Sequence, residues 1–168
     1  MSYSGIARIA TSLVTLSRSM STNPTPEKQG GYLMQICGFT IPNFEQVGKV
    51  SDPKELGAYG RFAPEKAFRL YSDWLRDPEN TVSSWQTRDE QTQKYGGAVV
   101  FLRRKEGSVV PEIISYSGLN EHIDESIVLT LGHHLGILSK DRLKRVIAIS
   151  NNKSFDEMLA LAIKCKII

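Results

Sequence analysis

The chain has 168 residues and a mass of 18.8 kDa, the size of one ordinary domain and long enough to bury a core without disulfide or metal staples. Hydrophobic residues at 40%, charged residues at 23%, 13 Gly and 7 Pro exclude collagen-like, low-complexity and wholly disordered chains, and no apolar run approaches the ~20 residues of a membrane helix. The net charge of +3 is uneven, with residues 1–20 carrying two arginines and no acid and residues 139–168 carrying seven basic against three acidic side chains; a margin this small, without an arginine-rich stripe, is a poor nucleic-acid footprint.

Residues 1–20 place Ile6, Ile9, Leu13, Leu16 and Met20 at helical spacing, with Arg8, Ser12, Thr15 and Ser19 between them. An acid-free amphipathic segment bearing Arg and Ser has the composition of a mitochondrial transit peptide, and Arg18-Ser19-Met20-Ser21 would be its processing site. The other reading is an ordinary first helix packed on the core by the same face, in a cytoplasmic protein. Residues 21–31, with two prolines, two glycines and no apolar side chain, read as a linker, and residues 32–168 as a single α/β domain.

Tyr32 to Ile41 is strand-like and is stopped by Pro42, which cannot donate to a ladder. A short strand is expected near Phe44 to Val50, and residues 43–62 are otherwise illegible. Pro64 stands at a first helical position and opens a helix with Ala67, Phe68, Leu70, Tyr71, Trp74 and Leu75 on one broad face, ending at Pro78. Thr81 to Tyr95 predicts a second, surface helix closed by Gly96-Gly97.

Ala98-Val99-Val100-Phe101-Leu102 is too short for a helix and rich in β-formers; the turn Lys105-Glu106-Gly107 returns the chain as Val109 to Ser117, a hairpin. Gly118 breaks the strand and Asn120 caps a helix whose stripe runs Leu119, Ile123, Ile127, Leu131, Leu135, Leu138. Gly132 and Gly136 share a face that admits a close neighbour. Arg145 to Ser150 predicts a strand, and Ser154 to Glu157 a capping box for a terminal helix. The fold class expected is α+β, an antiparallel sheet with helices packed on its faces.

Chemistry-bearing residues are sparse. Cys37 and Cys165 lie among apolar neighbours, where cysteine serves as a small buried hydrophobe, and no metal-ligand spacing exists. His134 falls in the apolar stripe, and His122 and His133 lie ~16 Å apart along the axis at 1.5 Å per residue, too far to share an ion. Each alone satisfies the one-ligand requirement of a haem iron, so His122, His133 and His134 are candidate axial ligands. Ser115, Ser117 and His122 make a weak hydrolase set that lacks an orienting third group. Asp124 and Glu125 diverge by ~100° on the helix and read as a solvated face.

From Pro64 to Leu138 the order of words is Glu65-Lys66-Ala67-Phe68-Arg69-Leu70-Tyr71-Ser72-Asp73-Trp74, then Gly96-Gly97-Ala98-Val99-Val100, then Ile113-Ile114-Ser115-Tyr116-Ser117-Gly118, then Asp124-Glu125-Ser126-Ile127. This resembles the GlcG/HbpS family of small α/β domains. The resemblance implies a profilin-like α/β sandwich that often oligomerises, with haem bound in some members. It makes Gly96, Gly97, Ser117 and Gly118 fold-defining turns and carries over no catalytic set. The function expected first is a non-catalytic accessory or binding protein, a homo-oligomer or subunit of a mitochondrial assembly. Haem or small-ligand binding and an enzyme of unrecognised class are the alternatives.

Overall fold

The computed structural model describes residues 3–38, 40–105 and 107–168. In chain order the elements are α1 (Tyr3–Ser17), β1 (Gln29–Cys37), β2 (Asn43–Lys49), α2 (Pro53–Arg76), a 3₁₀ turn (Ser84–Thr87), β3 (Ala98–Lys105), β4 (Ser108–Ser117), α3 (Glu121–His134), α4 (Lys140–Ser150) and α5 (Phe155–Lys164). The four strands form one antiparallel sheet in the order β2-β1-β4-β3. The expected hairpin is β3–β4, with Val99 opposite Ile114 and Phe101 opposite Glu112, and β4 pairs on its other side with β1, Leu33 opposite Tyr116.

Strand side chains alternate between faces, and the two faces carry separate cores. Met34, Ile36, Ala98, Val100 and Ile113 pack against Ala67 and Leu70 of α2. Leu33, Val99, Phe101, Ile114 and Tyr116 face the other way, against α1 and α3, with α5 packed on those two helices. Gly132 of α3 lies so close to Phe101 that a Cβ there would stand 2.3 Å from its ring, which is how α3 reaches the sheet. The main chains of β1 and β4 meet at Gly31 and Gly118, where a Cβ on Gly118 would fall 2.3 Å from the Gly30 carbonyl oxygen.

Several elements differ from expectation. α2 begins at Pro53, eleven residues before Pro64: Asp52 caps it, accepting from the Lys54 N–H at 2.8 Å. The buried row Tyr59, Ala63, Ala67, Leu70 runs straight through Pro64, so the packed face outweighs the missing hydrogen bond. Residues 81–95 are not a helix: only Ser84–Thr87 make a 3₁₀ turn, a tight turn closed by Asp89 and Lys94 follows, and Thr81, Val82, Ser83 and Ser84 are buried instead of lying on the surface, since the stretch has too few apolar anchors.

Arg145–Ser150 belongs to helix α4, not to a strand. Ser139 caps it, its Oγ accepting from the Arg142 N–H at 3.1 Å, and Arg142, Val146 and Ser150 recur at four-residue steps on the buried side. Ser154 makes no side-chain cap. Glu157 turns away to accept from the Ser21 N–H and from the Thr22 hydroxyl, each at 2.8 Å, which ties residues 21–22 to α5. The reading of residues 21–31 as a linker is thereby corrected, since Asn23 is also buried and donates to Ser17 O at 2.9 Å, and β1 starts at Gln29. α3 stops at His134, with Gly136 at φ +67°, so Leu135 and Leu138 lie beyond the helix. Cys165 is exposed and Cys37 half-buried; neither is the buried hydrophobe expected.

Residues 3–17 form a helix with Ile6, Ala10, Leu13 and Val14 buried against the sheet and α3. Leu13→Ala should therefore lower the unfolding free energy by about 3 kcal/mol, read by denaturant titration. A change within error would mean that α1 is not part of the cooperative core.

Candidate functional site

A cleft of about 300 Å³ opens where the C-terminal end of β4 meets the N-terminal turn of α3, and Lys66 and Asp124 form its floor. Lys66 is brought there by α2, and its ammonium donates to Asp124 Oδ2 at 3.1 Å and to the Tyr116 carbonyl oxygen at 3.0 Å. The two side chains are 1% and 2% exposed. Asp124 also accepts from the Leu119 N–H at 2.9 Å, which closes the first turn of α3. Burial raises the Asp124 carboxyl above its ordinary value, against the pull of Lys66 beside it.

This is a correction to the sequence reading: Asp124 and Glu125 are buried, not a solvated face. The angular divergence is real, and it sends the two carboxylates to different places. Gly97 explains how Lys66 gets in. It has φ +102°, and a Cβ there would lie 2.9 Å from the Asp124 Cβ and 3.1 Å from Lys66 Nζ.

The walls are aromatic and polar. Phe62 and Tyr95 meet edge to face with ring centres 5.0 Å apart. Tyr59 accepts from Lys28 Nζ at 2.8 Å. Burial raises the Tyr59 phenol while that bond opposes the rise. Burial alone would lower the Lys28 ammonium, but its bond to Tyr59 and the nearby Glu55 carboxylate outweigh this and raise it. Lys28 and Tyr59 also border a second cleft of about 220 Å³ beyond them, lined by Gly30, Gly118 and Asp52. Ser117 and Asn120 complete the main cleft. The Asn120 Oδ1 caps α3 by accepting from the His122 N–H at 3.0 Å, and its amide NH₂ meets no hydrogen-bond partner among the described residues.

Glu121 sits on the rim and is already engaged. It accepts from Arg88 at 2.9 Å and from the Gly96 N–H at 2.7 Å, and those donors hold its carboxyl below the ordinary value despite burial. Gly96 itself lies against the Trp85 ring, with no room for a Cβ.

Glu125 points to the far side of α3 and is held by three donors from three segments: Ser150 Oγ at 2.6 Å, Asn152 Nδ2 at 3.1 Å and Ser83 Oγ at 3.2 Å. Burial raises its carboxyl to about 7 in spite of those bonds. Because the folded value lies above the ordinary 4.5, the native state binds the extra proton between the two, and stability falls as pH rises from about 4.5 towards 7.

The three histidines are not brought together. His122 stacks on Trp85, ring centres 4.8 Å apart, and its Nε2–H donates to Ser150 O at 3.0 Å. His133 is exposed. His134 borders a separate cleft whose floor is the buried Glu112 carboxylate, bonded to Arg103 and Gln35 at 2.5 Å each. None lines the Lys66 cleft. The three imidazoles thus stand in three separate environments, one engaged with Ser150, one exposed and one beside the Glu112 cleft. Among the described residues no three His, Cys, Asp or Glu side chains group as a metal site requires, and no helix is long and apolar enough to cross a membrane.

No family model, curated protein or solved structure matches the chain. Sequence reasoning missed Lys66, Tyr59 and the burial of Asp124. The available signal was Lys66 on the apolar side of its helix, one residue before Ala67.

Two measurements test the geometry. Lys66→Met leaves Asp124 buried without its partner and should cost about 3–5 kcal/mol, while Lys66→Met with Asp124→Leu should recover most of that in denaturant titration. An equal loss in both variants would show that the pair holds nothing together. Glu125→Gln should flatten the stability profile between pH 5 and 7, removing a decline of up to about 3 kcal/mol; an unchanged slope would place the titrating group elsewhere.

Proposed function

We propose that the chain is a binding protein for a small acceptor-rich organic molecule, a carboxylic acid or carbonyl compound with a planar body, held in the Lys66 cleft. The observation that carries this is the convergence of unspent donors over the floor. Lys66 has three ammonium protons and two acceptors, the Asn120 amide is free on its donor side, and the Ser117 hydroxyl has no hydrogen-bond partner among the described residues. Phe62, Tyr95 and Tyr59 offer ring faces for a flat molecule, and the volume is at the small end of the range for ligand pockets. Asp124 balances Lys66, so the site favours a neutral or singly charged ligand over a polyanion.

The resemblance to the GlcG/HbpS family supports the same reading. Lys66, Ser117 and Asp124 come from three of its separate words and line this cleft, with Gly97 packed against Lys66 and Asp124 beneath it, while Gly118 borders the smaller cleft beside it.

Native mass spectrometry of the protein purified from its source, without refolding, tests the proposal. An adduct of one small organic molecule is expected, retained by the wild type and lost from Asn120→Ala and Ser117→Val, which leave the Lys66–Asp124 pair intact. A ligand that persists in both variants, or a wild type that carries none and shows no thermal shift with any member of a panel of aromatic and aliphatic acids, would overturn it.

A further inference from the structure

The sheet ends in β3 on one side and in β2 on the other. The first half of β3 is covered by the chain itself: the Val100 N–H donates to Val82 O at 2.9 Å, the Ala98 N–H donates to Ser84 Oγ at 3.0 Å, and Ser83 bridges to Val99. β2 has no such cover. Among the described residues no main-chain hydrogen bond reaches it from beyond the sheet, and only the Gln46 side-chain amide, 3.5 Å from the Gly48 carbonyl oxygen, approaches its edge.

Alternation fixes which groups of β2 face out, because in an antiparallel ladder every second residue turns its N–H and C=O to the same side. Val100 turns off the sheet, so Val99 and Phe101 bond β4 at Ile114 and Glu112. Ile113 and Ser115 then bond β1 at Ile36 and Met34, and Leu33 and Gln35 bond β2 at Glu45 and Asn43. The Tyr116 N–H, donating to Gly97 O at 3.1 Å, and the Gly38 N–H, donating to Pro111 O at 2.8 Å, keep the same alternation. The main-chain groups of Phe44, Gln46 and Gly48 are left pointing off the free edge.

The side chains of this strand match themselves in reverse. Glu45 and Lys49 share a face, two positions either side of the buried Val47, and both are exposed without an ion-pair partner among the described residues. No proline interrupts Asn43–Lys49, and its one acid and one base cancel, so the usual devices that keep an edge from pairing are missing.

We propose that β2 is the seat of a homodimer, in which two copies of the chain pair antiparallel about a two-fold axis at Val47 and join their four-stranded sheets into one. In this register Glu45 stands opposite the partner's Lys49, and Lys49 opposite the partner's Glu45. Gln46 and Gly48 exchange main-chain hydrogen bonds with the partner's Gly48 and Gln46. An axis at Glu45 would set like charges against each other, and an axis at Gln46 would set each charge against an uncharged side chain. Phe44, 45% exposed and stacked on Tyr32 with ring centres 4.9 Å apart, stands one diagonal step from the partner's Gly48, whose missing side chain leaves room for the ring. Reversal about Val47 exchanges an acid for a base, which is the self-complementarity that a two-fold interface requires, so the strand that satisfies this edge is another copy of it.

Sedimentation velocity of the full chain over a concentration series tests the proposal. A monomer–dimer equilibrium is expected, weakened at least about tenfold by Glu45→Lys and by Lys49→Glu. The two substitutions combined restore the opposite charges and should return the dissociation constant to within about threefold of the wild type. Gln46→Pro removes an N–H that points off the edge and leaves the ladder with β1 intact, so it should abolish the dimer while circular dichroism stays that of the wild type. A chain that is monomeric at every concentration, a dimer that persists in Gln46→Pro, or a combined variant as weak as the single ones would each overturn the proposal.

Discussion

The contact on which the rest of this structure depends is a buried ammonium facing a buried carboxylate. Lys66 and Asp124 come from helices on opposite faces of the sheet and meet past its end, where the sheet no longer separates the two layers. Removing either charge from water is costly, and only the mutual contact, the Tyr116 carbonyl and the Leu119 N–H offset that cost. Such a pair tolerates one arrangement of its surroundings, which makes it a device for specifying how α2 and α3 are set relative to each other. The aromatic walls of the cleft hang on those two helices and on the loops beside them.

The second half of the molecule is organised around another buried acid. Glu125 gathers Ser83, Ser150 and Asn152 from the segment before the 3₁₀ turn, from the end of α4 and from the loop before α5. Neighbouring residues of one helix thus anchor two different bodies of structure. Asp124 secures α2 across the sheet, while Glu125 secures the C-terminal helices and the strap that covers β3. The ~100° between consecutive helical residues is what allows this division.

The sheet was legible because its signals are local. Ala98 to Leu102, the Gly107 turn and Val109 to Ser117 carry β-formers and a turn in sequence, and the α+β class follows from them. The helix boundaries were less so, for identifiable reasons. Pro64 reads as a start, yet a strong cap at Asp52 and a continuous buried row override it. Val146-Ile147-Ala148-Ile149 reads as a strand, yet the polar residues Arg142 and Ser150, buried through hydrogen bonds to Thr81 O and Glu125, complete a helical face that hydrophobicity alone does not reveal. The site was hidden for the same reason. A lysine and an aspartate 58 positions apart look solvated until the fold buries both.

The meeting of Gly30, Gly31 and Gly118 leaves a stretch of bare main chain along the smaller cleft that shares Lys28 and Tyr59 with the larger one. Amide and carbonyl groups cannot be exchanged by point mutation, and any side chain introduced there would strike the opposing strand. That border is thus fixed in chemistry and shape, and substitution can reshape this cleft only where side chains line it, at Lys28, Asp52, Glu55 and Tyr59 among others.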